Sequence, residues 1–131
     1  MSPECNPEHN KDLRLYALIN KEALKASGGV RGKMMAQAGH AFLHAYWDAE
    51  ERFPERARAY RHEGLAKKIV LAVETTAAIE ELAAKDHPWG FTLVKDAALT
   101  VFKEPTITAI GIGPIDKDEA PDWLRALPML V

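Results

Sequence analysis

The sequence predicts an α/β fold of three layers, in which a mixed four-stranded sheet has helices on both faces. Four short apolar runs have the length of strands, and helical patterns separate most of them. The first run, Leu13–Ile19, is apolar on both faces, as expected for a strand covered by helices on each side. With 131 residues, 47% of them apolar, the chain is long enough for one domain with its own core.

The elements are predicted in the order β-α-α-β-α-β-β-α, which gives a mixed sheet. Residues 1–11 are polar, contain two prolines and are expected to form a loosely ordered tail before a single domain over residues 12–131. The predicted strands are Leu13–Ile19, Lys68–Val73, Phe91–Val94 and Thr106–Ile112. The predicted helices run from Gly32 to about Phe53, from Glu55 to His62, from Ala77 to Lys85 and from Asp116 to Leu127. For the helix that begins at Ala77, Thr75 or Thr76 is the expected N-cap, and Glu80 is expected to complete a capping box.

A glycine-rich loop, from Gly28 to Lys33, is predicted to join the first strand directly to the long helix. Glycines permit a tight turn, and the unpaired N–H groups and dipole of a helix N-terminus favour an anion. On the helix, Lys33, Gln37, His40 and His44 follow one another at i, i+4, i+7 and i+11. This spacing places the four polar side chains on a single stripe.

Ligands of such sheets bind at the carboxyl ends of the strands. The loop before Lys33 leaves the first strand at that end, and Asp96 follows the third strand in the same sense. We therefore expect the two residues to lie at one edge of the sheet.

The charge balance gives no long-range attraction for nucleic acid, because the formal net charge is −2. RNA binding would require a local basic patch. Four arginines interleaved with glutamates form either a solvated helix face with i,i+4 pairs or a basic edge for RNA; they are Arg52, Arg56, Arg58 and Arg61. The lone cysteine, Cys5, excludes an internal disulfide and fits a reducing cytoplasm.

Several familiar motifs are incomplete. A P-loop would need glycine at Ser27 and a hydroxyl residue at Met34. His40 and His44 have the spacing of two zinc ligands, but a zincin would have glutamate at Ala41 and no third ligand is evident, so no metal is expected. No apolar stretch has the length of a membrane span and no signal peptide opens the chain, so a membrane partner is not expected either.

Two blocks of sequence carry a resemblance to a known family. The segment Gly32-Lys33-Met34-Met35-Ala36-Gln37-Ala38-Gly39-His40-Ala41 resembles the G-K-x-x-A-Q-x-x-H-A signature of type 2 (archaeal and eukaryotic-type) peptidyl-tRNA hydrolases. The segments Lys95–Thr100 and Pro105–Pro114 resemble the D-A-G-x-T stretch of that family and its T-x-T strand ending in G-I-G-P. Three features depart from the family pattern: Ala98 in place of glycine, Arg31 in place of a common lysine, and the acidic net charge.

The resemblance implies cofactor-independent hydrolysis of the ester bond of peptidyl-tRNA by a cytoplasmic homodimer with no DNA partner. It implies catalytic roles for Lys33, Asp96, Thr100 and Thr108, and substrate-binding roles for Arg31, Gly32, Gln37 and His40. The alternative is an inactive relative that binds RNA ends or another phosphate ligand.

Each candidate also has a structural interpretation. Lys33 can be an ordinary surface lysine, and Asp96 can cap a turn. His40, on a helix of small residues, is more typical of a core histidine than of a proton carrier. Thr100 and Thr108 would be called structural without the resemblance, because threonine is common in strands.

Overall fold

The computed structural model describes residues 11–29, 31–96 and 105–131. Thr100 and most of the predicted N-terminal tail lie outside these ranges. The described elements are β1 (Leu13–Asn20), α1 (Lys21–Ala26), α2 (Arg31–Arg52), α3 (Pro54–His62), β2 (Lys67–Val73), α4 (Thr76–Ala83), β3 (Phe91–Asp96), β4 (Thr106–Asp116), a 3-10 turn (Lys117–Glu119) and α5 (Asp122–Arg125). The four predicted strands and the mixed sheet are confirmed.

The strands lie in the order β2-β1-β4-β3. Strand β1 is parallel to β2, and β4 is antiparallel to both β1 and β3. Three strands therefore run in the same direction and end at one edge, at Asn20, Val73 and Asp96. We call this the carboxyl edge; it contains Asp96 and the end of β1 as predicted.

Strand β1 separates two apolar layers because its successive side chains point to opposite faces. Tyr16 and Leu18 pack with Ile79 of α4 and Leu124 of α5 on one face. Ala17 and Ile19, together with Ala38 and Ala41 of α2, form the core on the other face. The sheet thus has helices on both sides, which confirms the three-layer α/β fold.

Helix α2 lies unusually close to the sheet. A Cβ atom added at Gly111 would lie 2.0 Å from the backbone oxygen of Ala41, and one at Gly90 would lie 2.4 Å from that of Ala45. Only glycine fits at these two contacts, because any side chain would overlap the helix backbone. The close approach holds the middle of α2 against the middle of the sheet.

The region between β1 and α2 differs from the prediction. A six-residue helix, α1, follows β1 directly, so the glycine-rich loop does not leave the strand itself. Gly29 N–H donates to the Leu24 carbonyl at 2.8 Å and Gly28 N–H to the Lys25 carbonyl at 3.1 Å, the pattern of a Schellman motif. Gly28 and Gly29 have φ of +98° and +64°, so these glycines end α1.

Two smaller predictions also fail. The C-terminal helix predicted from Asp116 is a 3-10 turn followed by the four-residue α5, because Pro121 interrupts the segment between them. Thr75 is the N-cap of α4 and accepts from the N–H of Ala78, which excludes Glu80 from the N3 position of a capping box. Among the described residues, no helix combines the length and apolarity needed to cross a membrane.

Candidate active site

A buried asparagine ties together the elements that meet at the carboxyl edge. Asn20 is 0% exposed, and its Oδ1 accepts a hydrogen bond of 3.1 Å from Ala23 N–H, which caps α1. Its Nδ2 donates to Thr76 Oγ1 of α4 at 3.0 Å and to the Ile107 carbonyl of β4 at 2.9 Å. Asn20 was not among the predicted site residues, although asparagine before the helix-favouring run Lys21–Ala26 is an N-cap signal.

The first turn of α2 concentrates positive charge beside this edge. Arg31, Gly32 and Lys33 are exposed, and no acidic residue lies in the first turn. Cations destabilise a helix N-terminus because the helix dipole is positive there. Lys33 has no ion-pair partner within the described ranges. The space around Gly32 is open, because a Cβ added there would meet no atom within 4 Å. The positive charge of this surface would therefore attract an anionic ligand.

Gln37, one turn further along α2, carries an unsatisfied acceptor. Its Oε1 is buried and makes no hydrogen bond within the part of the chain that the structure describes. A buried polar atom without a partner costs about 1–3 kcal/mol. This amide is therefore suited to accept a hydrogen bond from a bound water or a substrate hydroxyl.

Thr108 occupies a β-bulge in β4. Val94 pairs with Ala109 and Lys95 with Ile107, so Thr108 is the extra residue between two paired positions. Its side chain is buried and its hydroxyl donates to the Val94 carbonyl at 3.1 Å. Because this proton is used, Oγ1 is an acceptor toward any other partner and is poorly suited to be a nucleophile.

Core packing brings these positions together. Met34 and Ala38 of α2 share an apolar cluster with Val94 and Ala109, a pair of residues on one side of the bulge. Lys33 and Gln37 each precede one of these α2 residues, so the start of the polar stripe lies beside the helix face that packs near the bulge. Asp96 ends β3 and pairs with Thr106 in the backbone register of the same strands. The elements that carry Lys33, Gln37, Thr108 and the backbone of Asp96 therefore come together near the carboxyl edge, while Thr100 lies outside the described residues.

The two histidines of the stripe are exposed, so the core interpretation of His40 is wrong. The ring centroids of His40 and His44 lie 6.1 Å apart. The described residues include no group of three or more histidine, cysteine, aspartate or glutamate side chains that could hold a metal. In the described part of the chain, the two histidines are therefore not joined by a third side chain that could bind a metal.

The interleaved arginines do not share one surface. Arg56 is 2% exposed and pairs with Glu119, at the end of the sheet opposite to Asp96. Arg52 pairs with Asp48 at 2.9 Å and donates to the Trp89 carbonyl at 2.9 Å. Arg58 and Arg61 remain exposed. The segment is thus neither a fully solvated face nor a continuous basic edge for RNA.

Comparison with known proteins agrees with this geometry. Residues 14–130 match the family described as peptidyl-tRNA hydrolase PTH2. A relative in Methanococcus vannielii named peptidyl-tRNA hydrolase is 33% identical over 116 residues, 87% of this chain and 97% of its own length. Relatives with the same name in Methanocaldococcus jannaschii (35% identical over 70% of this chain and 80% of the relative) and Methanopyrus kandleri (36% over 76% and 86%) are similar. The chain belongs to the PTH2 family of peptidyl-tRNA hydrolases.

Proposed function

We propose that this chain hydrolyses the ester bond between the peptide and the 3′-terminal ribose of peptidyl-tRNA, releasing tRNA and free peptide without a cofactor. The observation that carries the proposal is the family match over residues 14–130. The matched range includes Lys33, Gln37 and Thr108. The substrate arises in translation, so we expect the protein to act in the cytoplasm.

Ester hydrolysis needs an activated water and stabilisation of the negative charge that develops on the carbonyl oxygen. We assign the first task to Asp96, which orients or deprotonates the water or positions Lys33. Lys33 and the free N–H groups in the first turn of α2 are suited to the second task, because they already present positive charge. Attack by water then breaks the bond to the ribose oxygen, which leaves with a proton.

The remaining candidates hold the substrate. The free lone pairs of Thr108 Oγ1 and the unpartnered Oε1 of Gln37 can accept hydrogen bonds from the water or from ribose hydroxyls. Thr100 would share this task with Thr108. Arg31, Gly32 and His40 line the exposed approach to the site, where they can contact phosphates and the RNA end.

We also infer that the chain forms a homodimer, as the family resemblance implies. An apolar groove of about 500 Å³ between α2, α3 and the β1–β2 side of the sheet supports this inference; its lining includes Leu15, Phe42, Leu43, Tyr46 and Tyr60. Such a surface gains free energy when it is covered. Sedimentation of the full chain tests the inference, and a monomer at micromolar concentration would contradict it.

A cleavage assay with peptidyl-tRNA tests the enzymatic proposal. The wild type should release peptide, and Asp96→Asn, a nearly isosteric change, should lower the rate by about 10²-fold or more, the scale of a lost acid–base group. Affinity for tRNA and thermal stability should stay close to those of the wild type. Turnover retained within a few-fold would make Asp96 a turn cap. Binding of RNA ends without any turnover by the wild type would favour the inactive relative.

A further inference from the structure

The outer face of α2 carries three aromatic rings beyond the candidate active site. His40, His44 and Trp47 follow Lys33 and Gln37 at spacings of three and four residues, so all five side chains share one line along the helix. Both histidines are exposed and Trp47 is 50% exposed. We call His40, His44 and Trp47 the aromatic stripe.

The rings of the stripe contact one another instead of entering the core. His40 and His44 are tilted by 48° at 6.1 Å, and Trp47 meets His44 edge to face at 5.1 Å. The other two tryptophans, Trp89 and Trp123, pack in or against the main apolar cluster. Trp47 therefore leaves a large apolar ring in water, which has an energetic cost that a ligand would offset.

Charge along the helix has a direction that suits a nucleic acid strand entering the site. Arg31 and Lys33 stand at the end nearest the carboxyl edge, and Glu51 stands one turn beyond Trp47. Phosphates are therefore favoured near the site and disfavoured past the stripe. A strand on this face should therefore place phosphates near Lys33, and the nucleic acid beyond its unpaired end should turn away from the helix after Trp47.

The length of the stripe matches a short single strand. His40 and Trp47 are separated by about 10 Å along the helix axis, from a rise of about 1.5 Å per residue. A stacked strand advances about 3.4 Å per nucleotide, so the stripe spans roughly three nucleotides. The 3′ end of a tRNA is a single strand of this size, and it carries the ester on its last ribose.

We propose that the aromatic stripe is a stacking platform for the bases of the unpaired 3′ end of the tRNA. Aromatic faces, including those of histidine, stack on unpaired bases with little sequence dependence. Lys33 then holds the terminal phosphate or the ester at the site, while His40, His44 and Trp47 hold the preceding bases. The inference rests on the proposed function for its substrate, but the binding itself can be tested without turnover.

The test uses the full chain and a short single-stranded RNA that ends in ACCA. In the wild type, stacking should quench the fluorescence of the exposed Trp47, while Trp89 and Trp123 are packed in the fold and should change little. The anisotropy of a dye-labelled RNA measures the affinity of every variant, including those that lack Trp47. We expect Trp47→Ala to weaken binding by about 5- to 50-fold, and Trp47→Phe to stay within about threefold of the wild type because it keeps a stacking ring. In the cleavage assay, Trp47→Ala should raise KM with little change in kcat, since stacking contributes equally to ground and transition states.

Leu43→Ala provides the matched control. Leu43 is 46% exposed on the same helix and lines the apolar groove, but it has no ring to stack. Because this groove is also the proposed dimer surface, the oligomeric state of the variant is measured by sedimentation, and at equal oligomeric state it should bind the RNA like the wild type. If Leu43→Ala and Trp47→Ala weaken binding equally, or if Trp47→Ala binds normally, the platform is rejected. A change of oligomeric state in Trp47→Ala, with unchanged RNA affinity per folded chain, would assign the face to a second copy instead.

The two proposals fail in different ways. Wild-type turnover combined with RNA binding that does not depend on Trp47 would reject the platform and keep the hydrolase. RNA binding that depends on Trp47, without wild-type turnover, would keep the platform and reject the hydrolase. Thermal melting of each variant should stay close to that of the wild type because both side chains are half exposed.

Discussion

Polar side chains gather at both ends of the sheet, but the two groups differ in how fully their hydrogen-bonding atoms are used. At the end opposite to the carboxyl edge, Asp116 is 1% exposed. Its Oδ2 accepts from the N–H groups of Lys11 and Asp12 at 3.0 and 3.1 Å, and its Oδ1 accepts from Asp118 N–H at 2.8 Å. Beside it, the nearly buried Arg56 pairs with Glu119, which closes the network.

The carboxyl edge contains both kinds of group, because Asn20 is buried and fully hydrogen-bonded there while two neighbouring side chains have open groups. Lys33 is exposed and has no ion-pair partner among the described residues, and the buried Oε1 of Gln37 has no hydrogen-bond partner there either. A saturated network stabilises the fold, because each buried group has its partner. Open groups cost stability and are retained where a ligand completes them. The difference is consistent with a structural role for the saturated end and with the proposed site at the carboxyl edge.

The largest effect is expected from breaking the saturated network with Arg56→Met. The side chains of Arg56 and Glu119 are only 3% and 13% exposed, so the substitution removes the positive charge beside a mostly buried carboxylate, which keeps its hydrogen bond from Asp116 N–H. Breaking such a pair costs about 3–5 kcal/mol in the free energy of unfolding. Urea denaturation measures this loss, while kcat/KM of the folded variant should stay within about twofold of the wild type.

The surface ion pair between Lys21 and Glu74 serves as its control. Their nitrogen and oxygen lie 3.3 Å apart, but the side chains are 43% and 69% exposed. Lys21→Met should cost less than about 1 kcal/mol. Equal losses for the two variants, or a loss of activity specific to Arg56→Met, would remove the distinction between the two ends of the sheet.

Lys33→Ala should have the opposite pattern to Arg56→Met, with a loss of activity and no loss of stability. Removing a cation from the first turn of α2 should leave the free energy of unfolding unchanged or slightly higher. It should lower kcat/KM by about 10- to 100-fold, because a hydrogen bond from a charged group contributes about 1.5–3 kcal/mol. The salt dependence of tRNA binding should weaken, with a log–log slope smaller by about 0.7 for each single-strand phosphate contact that is lost.

The control for Lys33→Ala replaces a lysine far from the carboxyl edge. Lys117 is exposed in the 3-10 turn after β4. Lys117→Ala should leave both kcat/KM and the salt slope close to those of the wild type. Equal effects of the two lysines would mean that only the overall charge of the chain matters.

Gln37→Met tests the unsatisfied acceptor with a side chain of similar size. Replacing a buried oxygen that lacks a partner should raise the free energy of unfolding by about 1 kcal/mol. The same change should lower the cleavage rate several-fold if Oε1 holds water or substrate. A variant that is less stable than the wild type would show that the oxygen is satisfied in the folded protein.

The sequence was sufficient for the strands and the long helix because their signals are local. Apolar runs mark the strands, and Pro54 marks the end of α2. The expected end of the fourth strand at Ile112 was wrong, because β4 continues through Gly113 and Pro114 to Asp116 and pairs there with β1. Helix α1 was missed because six residues hold little periodicity, and its glycine cap has the composition of a loop. The exposure of His40 depends on the rotation of α2, which the small residues Ala41 and Ala45 could have indicated.

The relative positions of the candidate site residues were predictable only where local sequence determines them. Lys33 and Gln37 are fixed relative to each other by helical spacing, and Asp96 by the direction of its strand. The Thr108 bulge depends on how Val94 and Lys95 pair with β4, and Asn20 acts through Ile107, which is distant in sequence. Pairing register is a property of the assembled sheet, so no local pattern contains it.

His87 combines the features of both ends of the sheet, and its replacement is expected to have the smallest effect on stability. Its ring stacks on Phe91 at 4.0 Å and meets Trp123 edge on. Its Nε2 lies 2.9 Å from the Leu82 carbonyl, while Nδ1 is buried without a hydrogen-bond partner in the described residues. One nitrogen is therefore satisfied as at the stable end of the sheet, and the other is open.

Burial lowers the pKa of His87 below its usual value of 6.5, because the charged form loses its hydration. The unfolded chain then binds more protons than the folded chain between the lowered pKa and about 6.5. The contribution of this group to stability is complete above about pH 6.5 and is lost as the pH falls toward the lowered pKa. Lys67 and Arg14 lower the pKa of Asp12 as well, but that loss occurs only below about pH 4.

Unfolding midpoints measured at several pH values between 5 and 8, for wild type and His87→Gln, isolate this contribution. Glutamine keeps a donor for the Leu82 carbonyl but does not titrate in this range. The wild type should lose stability relative to the variant as the pH falls below 6.5, and the difference should be constant above pH 7. Parallel curves across the whole range would mean that Nδ1 finds a partner when it is protonated, and His87 would then belong with the saturated groups.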